Sequence, residues 1–191
     1  VEPAIERDSL TLRSRDLKPL QLPLAPTGEA VSVRVWNDRC VGLDQGDEAA
    51  EWISRAVGDV LRLVRQAPLL ERMADAKFAG SKPTPVSFAD GYPFLVCNQA
   101  SLADLNARMP EPIPMERFRP NIVLAGLPAF EEDRIETLRI GAITLDLVKP
   151  CTRCIITSTD QRTGERSTNP LPVLRTFRFD RTLLGVAFGE N

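Results

Sequence analysis

Sixteen prolines are spread through 191 residues, and each removes a backbone donor and pins φ, so this chain cannot thread long helices or deep central strands. Pro19, Pro23, Pro26, Pro83, Pro85, Pro110, Pro112, Pro114, Pro170 and Pro172 are expected to break regular structure into short pieces joined by turns. With 43% hydrophobic and 26% charged residues, those pieces can still bury the core of one compact domain, or of a domain with an appendage. No stretch of about 18 uncharged apolar residues is present, so no spanning helix is expected within it. Net charge is −2, which removes the general electrostatic footprint for nucleic acid or an anionic membrane. The absence of histidine removes the Ser-His-Asp triad, the Cys-His dyad and every His-bearing zinc site. Chemistry here falls to Cys, carboxylates, Arg, hydroxyls or a cofactor.

Alternation in Val31 to Trp36 reads as a strand, and helical spacing with early acids makes Asp47 to Val57 a helix. Val60 to Val64 reads as another strand. Gln66 to Tyr92 reads as a long Pro-interrupted loop, a candidate lid or rim. Pro93 to Cys97 reads as a short strand, followed by a helix capped at Ser101 by the pattern Ser101-x-x-Asp104 and running to about Arg108. Asn121 to Ala125 is read as a buried strand. Leu138 to Leu147 reads as a hairpin around Gly141-Ala142 with one apolar face, and its second strand leads into Cys151-Thr152-Arg153-Cys154 and a β-branched strand from Ile155 to Thr159.

Cys151 and Cys154 admit several chemistries. A zinc ribbon needs a second ligand pair, and Cys40 and Cys97 are isolated. A redox dithiol starts a helix, whereas a strand is expected here. A single thiolate on a turn beside Lys149 and Arg153 suits a soft metal. Both cysteines can also be small buried hydrophobes. Pro120 predicts an extended segment that sets Arg119 and Asn121 on one side, an Arg fork and an amide suited to a phosphate or heterocycle; a surface Arg and a turn Asn are the plain alternative. Gly91 in Asp90-Gly91-Tyr92 allows close backbone approach to an anion, or simply makes a turn. Residues 149 to 191 carry +3 and residues 38 to 59 carry −4, the latter a solvated face or a docking patch for an electron-transfer partner.

Taken in order, FADGYPFLVCNQASLADLN (88 to 106), RFRPNIVLAG (117 to 126), the acidic EED, LRIGAITLDLVKPCTRCIITSTD (138 to 160) and NPLPVLRTFR (169 to 178) resemble the MOSC domain family. The likeness is to the branch that includes the mitochondrial amidoxime-reducing component and its bacterial relatives; VWNDRCVGLDQGDEAAEWIS (35 to 54) resembles the end of that branch's N-terminal barrel region. The resemblance implies an α+β fold, a mixed, mostly antiparallel MOSC β-barrel with flanking helices over residues 59–191, preceded at 1–58 by a remnant of the N-terminal β-barrel region and a connecting helix. It implies a molybdenum cofactor (molybdopterin), with Cys154 as protein ligand to molybdenum and catalytic centre. Asp90, Gly91, Tyr92, Arg119, Asn121 and Thr152 are the implied cofactor contacts. The implied activity is two-electron reduction of small N-hydroxylated compounds, fed by a ferredoxin-type or cytochrome b5-type protein or a fused module. A non-catalytic cofactor or sulfur carrier, and a structural or zinc-binding domain, are the alternatives. The ends are expected to be cuts through a larger protein, leaving an incomplete MOSC barrel, and few cysteines with bacterial relatives point to the bacterial cytoplasm.

Overall fold

A computed structural model describes residues 1–68, 72–80 and 83–191. The chain forms two compact units, Val1–Ala76 with Lys82–Gly91, and Lys77–Ser81 with Tyr92–Asn191.

The first unit opens with an antiparallel meander of β1 (Glu2–Glu6), β2 (Ser9–Ser14) and β3 (Leu17–Pro23). Pro19 lies within β3 and does not break it as expected, whereas Pro23 is its last residue; Pro3 lies in β1. β1 and β3 are the sheet's edges, where a missing donor breaks no ladder. β4 (Glu29–Val35), β5 (Asp38–Asp44) and β6 (Val64–Gln66) form a second antiparallel sheet. The strand expected from Val60 begins only at Val64, opposite Asp44; Val60 itself is 93% exposed.

Between β5 and β6 runs α1 (Asp47–Val57), where the sequence places it. Gly58, at φ 81, closes it in the left-handed conformation that favours glycine. Trp52 packs against Leu12, Leu20 and Ala49 and donates from Nε1 to Lys18 O at 2.6 Å. The Gln66 to Tyr92 segment expected as loop is broken by the short α2 (Ala76–Ala79); residues 69–71 and 81–82 of it lie outside the described residues.

In the second unit β7 (Val96–Asn98) runs into α3 (Gln99–Ala107) and then to β8 (Ile122–Leu124), which pairs with β7 in parallel. β7 starts later than expected because Pro93 has no donor and Phe94 is exposed. Asn98 caps α3, its Oδ1 accepting from Ala100 N at 3.1 Å. The expected cap, Ser101, is instead buried within the helix, donating to Glu132 Oε2 at 2.8 Å and accepting from Phe130 N at 2.8 Å.

The hairpin is present as β9 (Thr137–Ile140) and β10 (Ile143–Asp146) around Gly141-Ala142, with Gly141 at φ 60. Its apolar face is not buried: Ile140 and Ile143 are exposed. β11 (Pro150–Thr152), α4 (Leu171–Phe177), β12 (Phe179–Asp180) and β13 (Gly185–Glu190) follow. The sheet order is β11-β13-β7-β8, with β12 also on β13. Among the described residues no sheet closes into a barrel; the mixed, mostly antiparallel α+β class stands.

Register slips between β11 and β13 at the point where Gly189 takes φ +79. A Cβ there would lie 2.6 Å from Val96 O. The core gathers Leu95, Leu105, Phe118, Leu174 and Phe188, with Phe118 and Phe188 stacked at 3.9 Å between ring centroids. No helix among the described residues is long and apolar enough to cross a membrane.

Candidate functional site

β11 delivers Cys151 and Thr152 to the edge of the five-stranded sheet, and Arg153 continues the pairing through its N–H to Val186 O at 2.8 Å. Chain direction then changes. Cys154, exposed, begins a 3₁₀ turn at Ile155–Ser158, fixed by Thr157 N to Cys154 O and Thr159 N to Ile156 O. This turn replaces the strand expected at Ile155 to Thr159, because Thr157 and Ser158 spend their hydroxyls on Cys154 O and Ile155 O, which holds the backbone in a turn.

A second 3₁₀ turn, Met115–Phe118, ends at Arg119, whose φ of 56 is left-handed. Arg119 is therefore not extended, and the expected alternation with Asn121 does not exist; a positive φ in a bulky residue before proline is a held, costly conformation. Arg119 is exposed, and while its backbone N–H donates to Glu116 O, its side chain makes no hydrogen bond or ion pair with other described residues. Asn121, also exposed, accepts from Leu95 N at 2.9 Å through Oδ1 and donates its own N–H to Leu95 O. Its carbonyl is spent on the strand, leaving the Nδ2 amine to meet a ligand.

Arg153 joins these two turns. It donates from Nη1 to Cys151 Sγ at 2.9 Å and from Nη2 to Phe118 O at 2.6 Å, the residue before Arg119. Cys154, Thr152, Arg119 and Asn121 thus sit on segments tied directly to one another. Beneath them Cys97 is fully buried, and burial pushes its thiol up to about 12 against the pull of Arg153. Lys149 places its ammonium over the rings of Phe78 and Tyr92, at 5.1 and 5.3 Å.

Asp90 and Gly91 belong to the first unit, whereas Tyr92, Arg119, Asn121, Thr152 and Cys154 belong to the second. The loop carrying Asp90 is held by Arg72, which sequence reading missed. Its buried guanidinium donates to Ser87 O at 2.7 Å, Ala89 O at 2.6 Å and Asp90 O at 3.1 Å, and pairs with Asp38 at 3.0 Å. An isolated Arg in a mixed stretch carries no signal of this. A Cβ on Gly91 would meet no atom of the described residues within 4 Å, so none of them crowds that position.

The donor set fits a molybdenum–pterin group. An exposed thiol suits a soft metal, and an unpaired guanidinium with an amide amine suits an anionic pterin end. Arg117 Nε and Nη1 and Arg153 Nε are buried without hydrogen-bond partners among the described residues, so the segments around Cys154 and Arg119 keep donor capacity that the described protein does not satisfy. No group of three or more metal-ligating side chains occurs among the described residues.

Residues 83–190 match the model of the MOSC domain, more than half of the chain, and residues 1–60 match that of the MOSC N-terminal beta barrel domain. The chain belongs to the MOSC domain family. Among curated proteins, this MOSC chain is 35% identical to mitochondrial amidoxime-reducing component 1 of Mus musculus over 179 residues, covering 91% of the chain and 53% of that relative. It is 37% identical to mitochondrial amidoxime reducing component 2 of Bos taurus over 180 residues, with the same coverages. Component 1 of Homo sapiens is 36% identical over 177 residues, 90% of the chain and 52% of the relative. The MOSC chain spans about half the length of these relatives. All three are mitochondrial proteins of animals by name, which overturns the bacterial cytoplasmic location expected from the sequence.

Proposed function

We propose that the protein to which this MOSC chain belongs binds a molybdenum cofactor and reduces N-hydroxylated compounds to the amine or amidine and water. The reading is carried by the exposed Cys154 thiol, tied through Arg153 to the segment that presents unpaired Arg119, in a chain whose relatives are named for amidoxime reduction. Cys154 would hold the metal. Arg119, Asn121 Nδ2 and Thr152 would hold the pterin and its phosphate, with Asp90, Gly91 and Tyr92 as further contacts. When bound, the group supplies a two-electron centre for N–O bond reduction.

The protein's own share is binding and orientation. Arg119 supplies a charge-assisted fork that pairs with no carboxylate among the described residues, so its charge is offered to an anion. With no histidine among these 191 residues, the proton donors that this chain itself would offer are carboxylates and bound water. Electrons come from a ferredoxin-type or cytochrome b5-type donor. The division into an N-terminal barrel part up to about residue 58 and a MOSC part from 59 belongs to the same reading.

Elemental analysis of protein produced with cofactor biosynthesis, followed by turnover of an amidoxime with a chemical reductant, tests the proposal. Molybdenum with turnover is the expected result. Molybdenum without turnover indicates a carrier, and zinc in its place contradicts the proposal.

A further inference from the structure

We infer that Arg117 is a positioning residue that, working opposite Arg153, fixes where Cys154 stands relative to Arg119 and Asn121. The inference rests on the reading of Cys154 as the metal's protein ligand and goes beyond it to the residues that aim it.

Arg117 lies in the 3₁₀ turn Met115–Phe118, two residues before Arg119, and is 5% exposed. Its Nη2 lies 2.6 Å from Ser167 Oγ and 3.5 Å from Asp160 Oδ2. Both partners belong to the loop that follows Cys154. Ser167 donates its N–H to Ser158 O, the end of the turn that Cys154 begins, and Asp160 donates its N–H to Glu165 O. Asp160 is itself fixed, accepting from the N–H groups of Arg162 and Thr163, which with Arg117 hold its carboxyl below the usual range.

The two arginines run in opposite directions. Arg153, just before Cys154, reaches back to Phe118 O; Arg117, next to Phe118, reaches forward past Ser158 to Ser167. The Cys154–Ser158 turn is therefore gripped at both ends against one short element, and that element leads directly into Arg119 and Asn121. Packing alone does not account for an arginine at 117. Its Nε and Nη1 are buried without partners, a cost that an aliphatic side chain of similar size would avoid.

The test uses Arg117→Met and Arg117→Lys in the full chain, with hydrogen exchange resolved by peptide and X-ray absorption at the molybdenum edge of loaded protein. In Arg117→Met, amides of residues 155–167 should exchange at least about tenfold faster while strands β4 and β5 are unchanged. The share of molybdenum carrying a protein sulfur should fall, and Arg117→Lys should recover part of both. If Arg117→Met does not fold, Ser167→Ala combined with Asp160→Asn cuts the same strut from its other end and should give the same local pattern. Unchanged exchange over 155–167 in a folded variant, or faster exchange throughout both units, overturns the inference. Because exchange is measured on metal-free protein, it is separate from the ligand reading, which a Cys154→Ser protein that keeps its sulfur ligand would sink on its own.

Discussion

At the scale of single residues, position alone sorts the four cysteines: Cys40 and Cys97 are buried, Cys151 is half-buried and Cys154 is exposed. Cys97 is fully buried with its thiol pushed up to about 12, whereas Cys154 is exposed. Iodoacetamide at pH 8 followed by peptide mapping should label Cys154 rapidly and leave Cys97 unlabelled in the folded chain; labelling of Cys97 at a comparable rate would contradict this packing. Arg119 is the other residue whose role can be read singly. Replacing it by Ala should remove an anchor of roughly 1.5–3 kcal/mol, about 10- to 150-fold in cofactor retention, without lowering the melting temperature, because its side chain makes no hydrogen bond or ion pair with other described residues. Full cofactor loading with altered substrate preference would place it elsewhere.

The residue types of this site were legible in the sequence, but their mutual geometry was not. A thiol after a basic turn and an Arg-Pro-Asn triplet are local patterns. The bonds that bring them together, Arg153 to Phe118 O and Arg117 to Ser167, span 35 and 50 positions and leave no periodic trace. The left-handed Arg119 also escaped, since a residue before proline is normally extended.

Among the elements, β13 is the most informative. Its last residue, Glu190, is buried beside Asp133, Glu132 and Arg178; desolvation first and the Asp133 charge second raise its carboxyl to about 8. Asp133 is held by both outer nitrogens of Arg178, so Arg178 is largely committed elsewhere. A carboxyl raised in the folded state is stabilising in full below its unfolded value and loses that contribution as pH climbs through its folded value. Stability of the second unit should therefore decline from about pH 5 to about pH 8, by a few kcal/mol in all. Glu190→Gln keeps a donor toward Asp133 without the charge, and thermal melts across that range should flatten. An equally steep decline in Glu190→Gln would assign the effect to another group.

Helices were the more legible elements. The period in Asp47 to Val57 returned α1 over the same residues because one face packs on Leu12 and Leu20. α3 was found but its cap was displaced, since Ser101 is drawn into a buried network with Glu132 and Asn98 is free to cap. Asn98→Ala removes both the cap and a donor to Glu132 Oε2 at 3.1 Å. It should cost about 2–4 kcal/mol in a denaturant titration, a cap plus a buried carboxylate left short of a partner, whereas a loss below about 0.5 kcal/mol would mean the cap is redundant. The first three strands went unread; in β3 Pro19 and Pro23 suggested breaks, and only the pairing shows that β1 and β3 are edges around β2.

For the whole molecule, the two units each carry their own buried cluster, Leu12, Leu20 and Ala49 in one and the set around Phe118 and Phe188 in the other. The implied contacts divide between them, Asp90 and Gly91 in the first and the remainder in the second. Fold class followed from the family resemblance; a closed barrel is not formed by the described strands. The chain spans about half of its relatives, so the activity of the whole protein has to be measured on the whole protein. The central claim, that one cysteine of the pair holds the metal, is tested most directly by X-ray absorption at the molybdenum edge on loaded protein. Cys154→Ser should lose one sulfur neighbour relative to the unmodified protein while Cys151→Ser keeps it; an unchanged sulfur count in Cys154→Ser, or its loss in Cys151→Ser, would contradict the account.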